Sequence, residues 1–125
     1  MSKYAPGQVW TYRTRPGEES SRITILKVDQ HDKLGNIIHI HVSNVAIKSP
    51  SAPDGVAKVI HHSPYTEKAI DDSVLELGAE NVELPDFQEG YDTWKEAFDK
   101  SEAGVFSISV SEGVAAMEQV LSGNP

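Results

Sequence analysis

Residues 37–47, Ile-Ile-His-Ile-His-Val-Ser-Asn-Val-Ala-Ile, decide the predicted fold. β-branched residues dominate this stretch, and apolar side chains alternate with polar ones, which is typical of a strand with one face in the core. The apolar positions change from even to odd numbers between Val42 and Val45. This change predicts a bulge or bend near Ser43 and Asn44, in a long strand at the centre of the structure.

A second strand-like segment, about Ser21 to Asp29, precedes this stretch, and a polar turn containing Gly35-Asn36 joins the two into a hairpin. The register that brings the apolar residues of both strands onto one face can be predicted from their alternation. The predicted pairs are Leu26 with Ile40, Val28 with Ile38, Thr24 with Val42, Lys27 with His39 and Ile25 with His41.

Strands are also predicted over about 8–15, 56–60 and 105–110; the last alternates most regularly, with Phe106, Ile108 and Val110 facing the core. Three helices are predicted over about 64–77, 87–100 and 112–121, with Ser63, Asp86 and Ser111 as their N-caps. This order predicts an α+β fold: a mostly antiparallel sheet of about four to five strands, with three helices packed mainly on one face. Residues 1–125 form a single predicted domain, in which 1–7 and 122–125 are frayed tails.

Composition excludes several classes of protein. The chain has 125 residues, 38% of them hydrophobic and 24% charged, as in an ordinary globular domain. It has no cysteine, which excludes disulfide scaffolds, thiol catalysis and cysteine-based metal sites. No signal peptide is visible, and no apolar run approaches the ~18 residues that span a bilayer. We therefore expect a soluble cytoplasmic protein without membrane contacts.

Charge is distributed unevenly along the chain. Residues 1–62 contain eight Lys and Arg against five Asp and Glu, whereas residues 63–125 contain three against fourteen. The acidic second half would repel phosphate backbones, so nucleic-acid binding is not expected. An acidic surface on the predicted helices either keeps the protein soluble or binds a basic protein partner.

The histidines are the first candidates for chemistry. His39 and His41 should project from one face of a strand, roughly 6.5–7 Å apart, a spacing at which two imidazoles can share a metal ion. A metal site needs further ligands, for which His61 and His62 are candidates. The alternative interpretation places His39 and His41 on a solvent-facing or partly covered sheet face, and no cofactor is predicted. His61-His62-Ser63 places histidine beside serine, but adjacency does not make a catalytic triad, and Ser63 is already the predicted helix cap.

Arg13, Arg15 and Arg22 flank the first predicted turn and are candidates for binding an anion. The alternative is that Glu18, Glu19 or the acidic helices neutralise them. No phosphate-binding glycine motif is present.

The opening Gly7-Gln8-Val9-Trp10-x-Tyr12-x-Thr14-Arg15 resembles a group of small uncharacterised bacterial proteins. Residues 23–28 and the segment 84–91 with Trp94 are similar to that group as well. The resemblance implies a bacterial cytoplasmic protein. It transfers no activity, ligand or site residue.

Two functional hypotheses follow. The first is a binding protein without catalytic activity, whose acidic helical surface contacts a partner. The second is a small metal-dependent or ligand-binding enzyme centred on His39 and His41. An oligomerisation domain is a third possibility, and the sequence does not predict an oligomeric state.

Overall fold

A computed structural model describes residues 3–52 and 54–122. Within them the elements are β1 (Val9–Tyr12), β2 (Arg22–His31), β3 (Gly35–Lys48), β4 (Val56–Thr66), α1 (Glu67–Ser73), β5 (Val74–Ala79), α2 (Gln88–Asp99) and α3 (Val110–Ser122). The strands form one antiparallel sheet in the order β4-β3-β2-β1-β5. The predicted α+β class is confirmed. No helix in these described ranges has the length and apolarity needed to cross a membrane.

β3 contains the stretch that decides the predicted fold, and it pairs with β2 and β4 along its two edges. The predicted β2–β3 register is confirmed near the turn and is wrong by one residue beyond Leu26. Leu26 is an extra residue in β2, a bulge that simple alternation does not reveal. The observed pairs are Val28 with Ile38 and Lys27 with His39 near the turn, then Ile25 with Ile40, Thr24 with His41 and Ile23 with Val42.

The predicted bend near Ser43 and Asn44 is confirmed. Asn44 has a φ of 55°, and the pairing of β3 with β4 is interrupted between Ser43 and Ile47. Asparagine is one of the few residues other than glycine that tolerate this left-handed conformation. The bend keeps both Val42 and Val45 buried although their positions differ in parity.

Both faces of β3 are covered. Ile38, Ile40 and Val42 belong to the main core, to which Ile70 of α1 and Val114 of α3 also contribute. Alternation sends the intervening side chains to the other face, which α2 crosses. Two of the three helices therefore share the main core face, and α2 covers His39 on the opposite face.

The predicted helix over 64–77 is wrong at both ends. Ser63 and Pro64 belong to β4, and the N-cap of α1 is Thr66, whose hydroxyl accepts a hydrogen bond from the Ala69 amide (3.2 Å). At the other end, residues 74–79 leave the helix and pair with β1. Pairing between distant segments thus overrides a local helical stripe.

The predicted strand over 105–110 is also wrong. Only Phe106 makes a strand-like bridge, to Tyr65 at the outer edge of β4. Helix α3 begins at Val110, because Ser109 and Glu112 form reciprocal side-chain-to-backbone hydrogen bonds of 3.2–3.3 Å. This capping box starts the helix two residues earlier than the predicted cap at Ser111 allows. Ile108, expected in the core, is exposed.

The N-terminal segment, predicted to be a frayed tail, is packed against the sheet and α1 where the structure describes it. Tyr4 is buried and its hydroxyl donates to an oxygen of Asp71 (2.6 Å), while the Gly7 amide donates to the Ile25 carbonyl (2.9 Å). Residues 1–2 and 123–125, which belong to the predicted tails, lie outside the described residues.

Candidate functional site

His39 is the most deeply buried titratable side chain on the α2 face of the sheet. Its ring is 0% exposed. Tyr91 and Trp94, one helical turn apart on α2, pack against it in T-shaped contacts with ring centroids 4.9 Å away. Tyr91, Trp94 and Phe98 are spaced to lie on one face of α2, and this face covers a histidine as well as making aromatic contacts of its own.

Both ring nitrogens of His39 are hydrogen bonded. Nε2 lies 3.0 Å from Oδ2 of Asp29 on β2, and Nδ1 lies 2.9 Å from Nε2 of His62 on β4. The Tyr91 hydroxyl donates to the same Asp29 oxygen at 2.7 Å. Three neighbouring strands thus supply one connected set, Asp29, His39 and His62, which we call the Asp–His–His array. Tyr91 of α2 donates a hydrogen bond to it.

The two imidazoles meet end to end. The planes of the two rings differ by 15°, and the ring centroids are 5.1 Å apart. This separation is about the 2.9 Å N···N distance plus one ring radius on each side, so the two centroids and the two nitrogens lie nearly on one line. The hydrogen bond therefore lies in the plane of both rings, along the nitrogen lone pair. This geometry suits proton movement between the rings.

Hydrogen-bond chemistry fixes the tautomers of the array. The ionised carboxylate of Asp29 only accepts, so His39 carries its proton on Nε2 and, when neutral, presents an unprotonated Nδ1. His62 must then donate from Nε2, which leaves its own Nδ1 without a proton. The array therefore ends in a nitrogen lone pair on His62.

Burial keeps the two imidazoles of the array neutral at physiological pH. Burial lowers the pKa of His39, against the opposing effect of the nearby Asp29 carboxylate. The pKa of His62 is lowered to about 4, first by burial and then by the proximity of His39. Burial and the hydrogen bond to Asp29 both raise the pKa of Tyr91, so this hydroxyl remains a donor.

His62 lines a cleft between β4 and α2 with a volume of about 760 Å³. Gly90 allows α2 to approach closely, because a Cβ at this position would lie 3.4 Å from Cβ of His62. Phe87 and Trp94 contribute apolar surface to the same cleft. A proton-accepting nitrogen beside apolar walls is the usual composition of a small-molecule site.

The four candidate histidines come together as two pairs. His39 is hydrogen bonded to His62, and His41 lies beside His61 with ring centroids 6.2 Å apart. Burial, followed by the proximity of His61, lowers the pKa of His41, whose Nδ1 is buried without a partner. Among residues 3–52 and 54–122, no group of three or more acidic or histidine side chains is arranged to hold a metal ion.

Ser63 lies on the opposite face of the sheet from the array. It pairs with Ile40, whose side chain is in the main core, whereas His62 contacts α2. The sequence neighbours His62 and Ser63 therefore do not form a nucleophile–base pair.

Arg15 is largely neutralised within the protein. It makes two hydrogen bonds to the buried carboxylate of Glu18 (2.7 and 2.8 Å) and one to Glu118 of α3 (3.0 Å). Arg22 donates to the carbonyls of Glu19 and Ser21. The anion-binding role of Arg13, Arg15 and Arg22 stays a prediction, to which this geometry adds no support.

Several acidic residues of the second half pair with lysines of the same chain. Lys68–Asp72, Lys95–Asp99 and Lys100–Glu96 are salt bridges between positions four apart on α1 and at α2, and Lys3 pairs with Asp71. These exposed pairs contribute little to stability. They reduce the free acidic surface predicted to bind a basic partner, and that hypothesis stays untested.

Comparison of the chain with family models, curated proteins and solved structures gives no significant match.

Stability should fall on acidification because of the array. Between pH 6.5, the ordinary pKa of histidine, and about 4, the pKa of His62, the unfolded chain binds the proton and the folded chain does not. His62 alone should therefore lower the free energy of unfolding below pH 6.5 by up to about 1.4 kcal/mol per pH unit, and the lowered pKa of His39 acts in the same direction. Urea unfolding across this range measures the slope.

His62→Gln is the test variant for this slope, since a glutamine amide can donate to His39 Nδ1 but does not titrate. We expect a shallower slope in His62→Gln and an unchanged one in His31→Gln, which alters the β2–β3 turn outside the array. Parallel curves for His62→Gln and the parent protein would contradict the prediction.

Proposed function

We propose that this protein binds a small organic molecule in the cleft between β4 and α2, and that His62 accepts a hydrogen bond or a proton from it. One observation carries the proposal: the Asp–His–His array fixes the tautomer of a half-buried histidine that lines the cleft. This develops the hypothesis of a ligand-binding site at His39, with His62 in place of His41 and without a metal ion.

The array also provides for general-base chemistry. A proton taken by His62 Nδ1 can be relayed through Nε2 to Nδ1 of His39, and the imidazolium then formed lies against the Asp29 carboxylate. In hydrolytic enzymes, a buried carboxylate plays the same role that Asp29 would play here: it orients a histidine and stabilises the imidazolium. Lys27 lies 3.8 Å from the other Asp29 oxygen and forms an ion pair with it.

The tautomer is tested by long-range ¹H–¹⁵N NMR on protein labelled at histidine. At neutral pH we expect His39 and His62 both to be protonated at Nε2 and unprotonated at Nδ1. Protonation of His62 at Nδ1 would remove the acceptor from the cleft and overturn the proposal.

Binding is tested with 4-ethylphenol, a neutral ring that carries one O–H donor. We expect its addition to shift the signals of His62 Nδ1 and of the Trp94 indole N–H. His62→Gln should weaken this binding, and Gly90→Leu, which fills the cleft beside His62, should abolish it. His31→Gln should leave it unchanged. A circular dichroism spectrum of each variant confirms that it folds.

A further inference from the structure

The cleft carries negative charge. Asp86 and Glu89 line it, whereas none of its described lining residues is a lysine or an arginine. An anionic ligand would therefore meet two carboxylates and no lysine or arginine side chain of the described lining. A cation would be attracted by both.

The cleft also presents a fixed aromatic wall. The Trp94 indole N–H donates to the Gly104 carbonyl at 2.9 Å, and the indole stacks on Phe98 with centroids 4.6 Å apart and planes within 20°. These contacts hold the ring in one orientation before any ligand binds. Phe87, which precedes α2, lines the same cleft. Such a wall favours a flat ring, and it also favours a cation that approaches the indole face.

His62 suits a cationic donor better than a histidine of ordinary pKa would. Because the pKa of His62 is lowered to about 4, its imidazole stays neutral at physiological pH. A neutral Nδ1 accepts a hydrogen bond from an ammonium group, whereas an imidazolium would repel that group and has no lone pair to offer.

We propose that the ligand is a small aromatic amine, whose ring lies against Trp94 and Phe87 and whose ammonium group is held by Asp86, Glu89 and His62. This inference rests on the proposed function, because it names the class of ligand that the same cleft accepts. It adds a sign of charge, which the proposed function alone leaves open.

Three probes with the same 4-hydroxyphenyl ring separate charge from ring binding: tyramine, 4-ethylphenol and 3-(4-hydroxyphenyl)propionate. They are cationic, neutral and anionic respectively at neutral pH. Dissociation constants are measured by NMR titration of the full chain at low ionic strength. We expect tyramine to bind about three- to tenfold more tightly than 4-ethylphenol, and the propionate to bind most weakly. Added salt should reduce these differences.

A matched pair of double variants assigns the charge effect to the cleft. Asp86→Asn with Glu89→Gln should bring the affinity for tyramine close to that for 4-ethylphenol. Asp92→Asn with Glu96→Gln removes the same charge from α2 outside the cleft lining and should keep most of the preference. Both pairs replace exposed side chains by near-isosteres, so the fold should be unaffected.

The outcomes distinguish failure of the aromatic-amine inference from failure of the ligand-binding proposal. Equal binding of tyramine and 4-ethylphenol, or a preference for the propionate, would overturn the aromatic-amine inference and leave the ligand-binding cleft intact. An equal loss of tyramine preference in both double variants would assign the preference to the overall charge of the protein, and would also overturn the inference. Failure of all three probes to shift His62 or Trp94 would overturn both proposals.

Discussion

We expect Gly113→Ala to lower the free energy of unfolding by about 2 to 3 kcal/mol, although alanine is intrinsically the better helix former. Gly113 lies in the first turn of α3, and a Cβ there would overlap the hydroxyl of Tyr65 and lie 3.0 Å from its Cζ. The Tyr65 side chain extends from β4 to Gly113 of α3 and is fully buried. It cannot turn away without displacing other residues of the core. Chemical denaturation of the two proteins measures the difference.

Tyr65→Phe provides the control for this prediction. The buried Tyr65 hydroxyl lies near the Ser63 side chain but makes no hydrogen bond of good geometry, so its removal should cost little. In the Tyr65→Phe background, Gly113→Ala should cost less than in the parent protein, because the hydroxyl is absent. It should still cost something, because the ring carbons remain close. Equal costs of Gly113→Ala in both backgrounds would show that the Tyr65 hydroxyl is not the obstacle and would contradict the prediction.

The second large effect is expected at Glu18. Its side chain is only 4% exposed and accepts hydrogen bonds from Arg15 and from the Ala46 amide at 2.6 Å. We expect Glu18→Ala to destabilise the protein by about 3 kcal/mol, because it removes one partner of a buried ion pair and one support of the bend in β3. Thermal and urea unfolding measure this effect.

Glu19→Ala is the matched control for Glu18→Ala. Glu19 is the neighbouring carboxylate and is exposed; it accepts only a local bond from the Gly17 amide. Its loss should change stability by no more than about 0.5 kcal/mol. The hydrogen bonds from Arg15 lower the pKa of Glu18, so its contribution is present above its ordinary pKa of 4.5 and is lost as the pH falls below it. Similar costs for the two alanine variants would contradict the prediction.

Alternation along residues 37–47 predicts β3, its bend and the class of fold, because a strand with one face in a core imposes a period of two on its own sequence. The position of Leu26 as an extra residue in β2 cannot be predicted this way. A bulge shifts only the pairing partner, and two buried apolar neighbours fit either register. The prediction for 74–79 is wrong for a related reason, since this segment pairs with β1, a partner far away in the chain. The prediction for 105–110 is wrong because alternation competes there with a local capping box at Ser109 and Glu112.

The candidate site is predictable only in part. The sequence indicates His39 and His62 as candidates. The spacing of Tyr91, Trp94 and Phe98 places them on one helix face, but nothing in the sequence connects that face with the histidines. Asp29 carries no signal of its own, because it is one polar residue in an alternating strand. Its role arises when β2, β3 and α2 meet. Asp29 pairs with Ile37 and is therefore the diagonal neighbour of His39 on the same sheet face. An acidic residue diagonal to a histidine in the predicted register is the signal that could have identified it.

The short bridge at Phe106 has a consequence for aggregation. β4 is at one edge of the sheet, and Phe106 forms backbone hydrogen bonds with the Pro64 carbonyl and the Thr66 amide, at 3.0 and 2.9 Å. Those outward-facing groups would otherwise be available to a strand from another molecule. The segment that fails to become a sixth strand therefore covers these backbone groups at this end of β4, beside the cleft that His62 lines, and it protects them from pairing with a strand of another molecule.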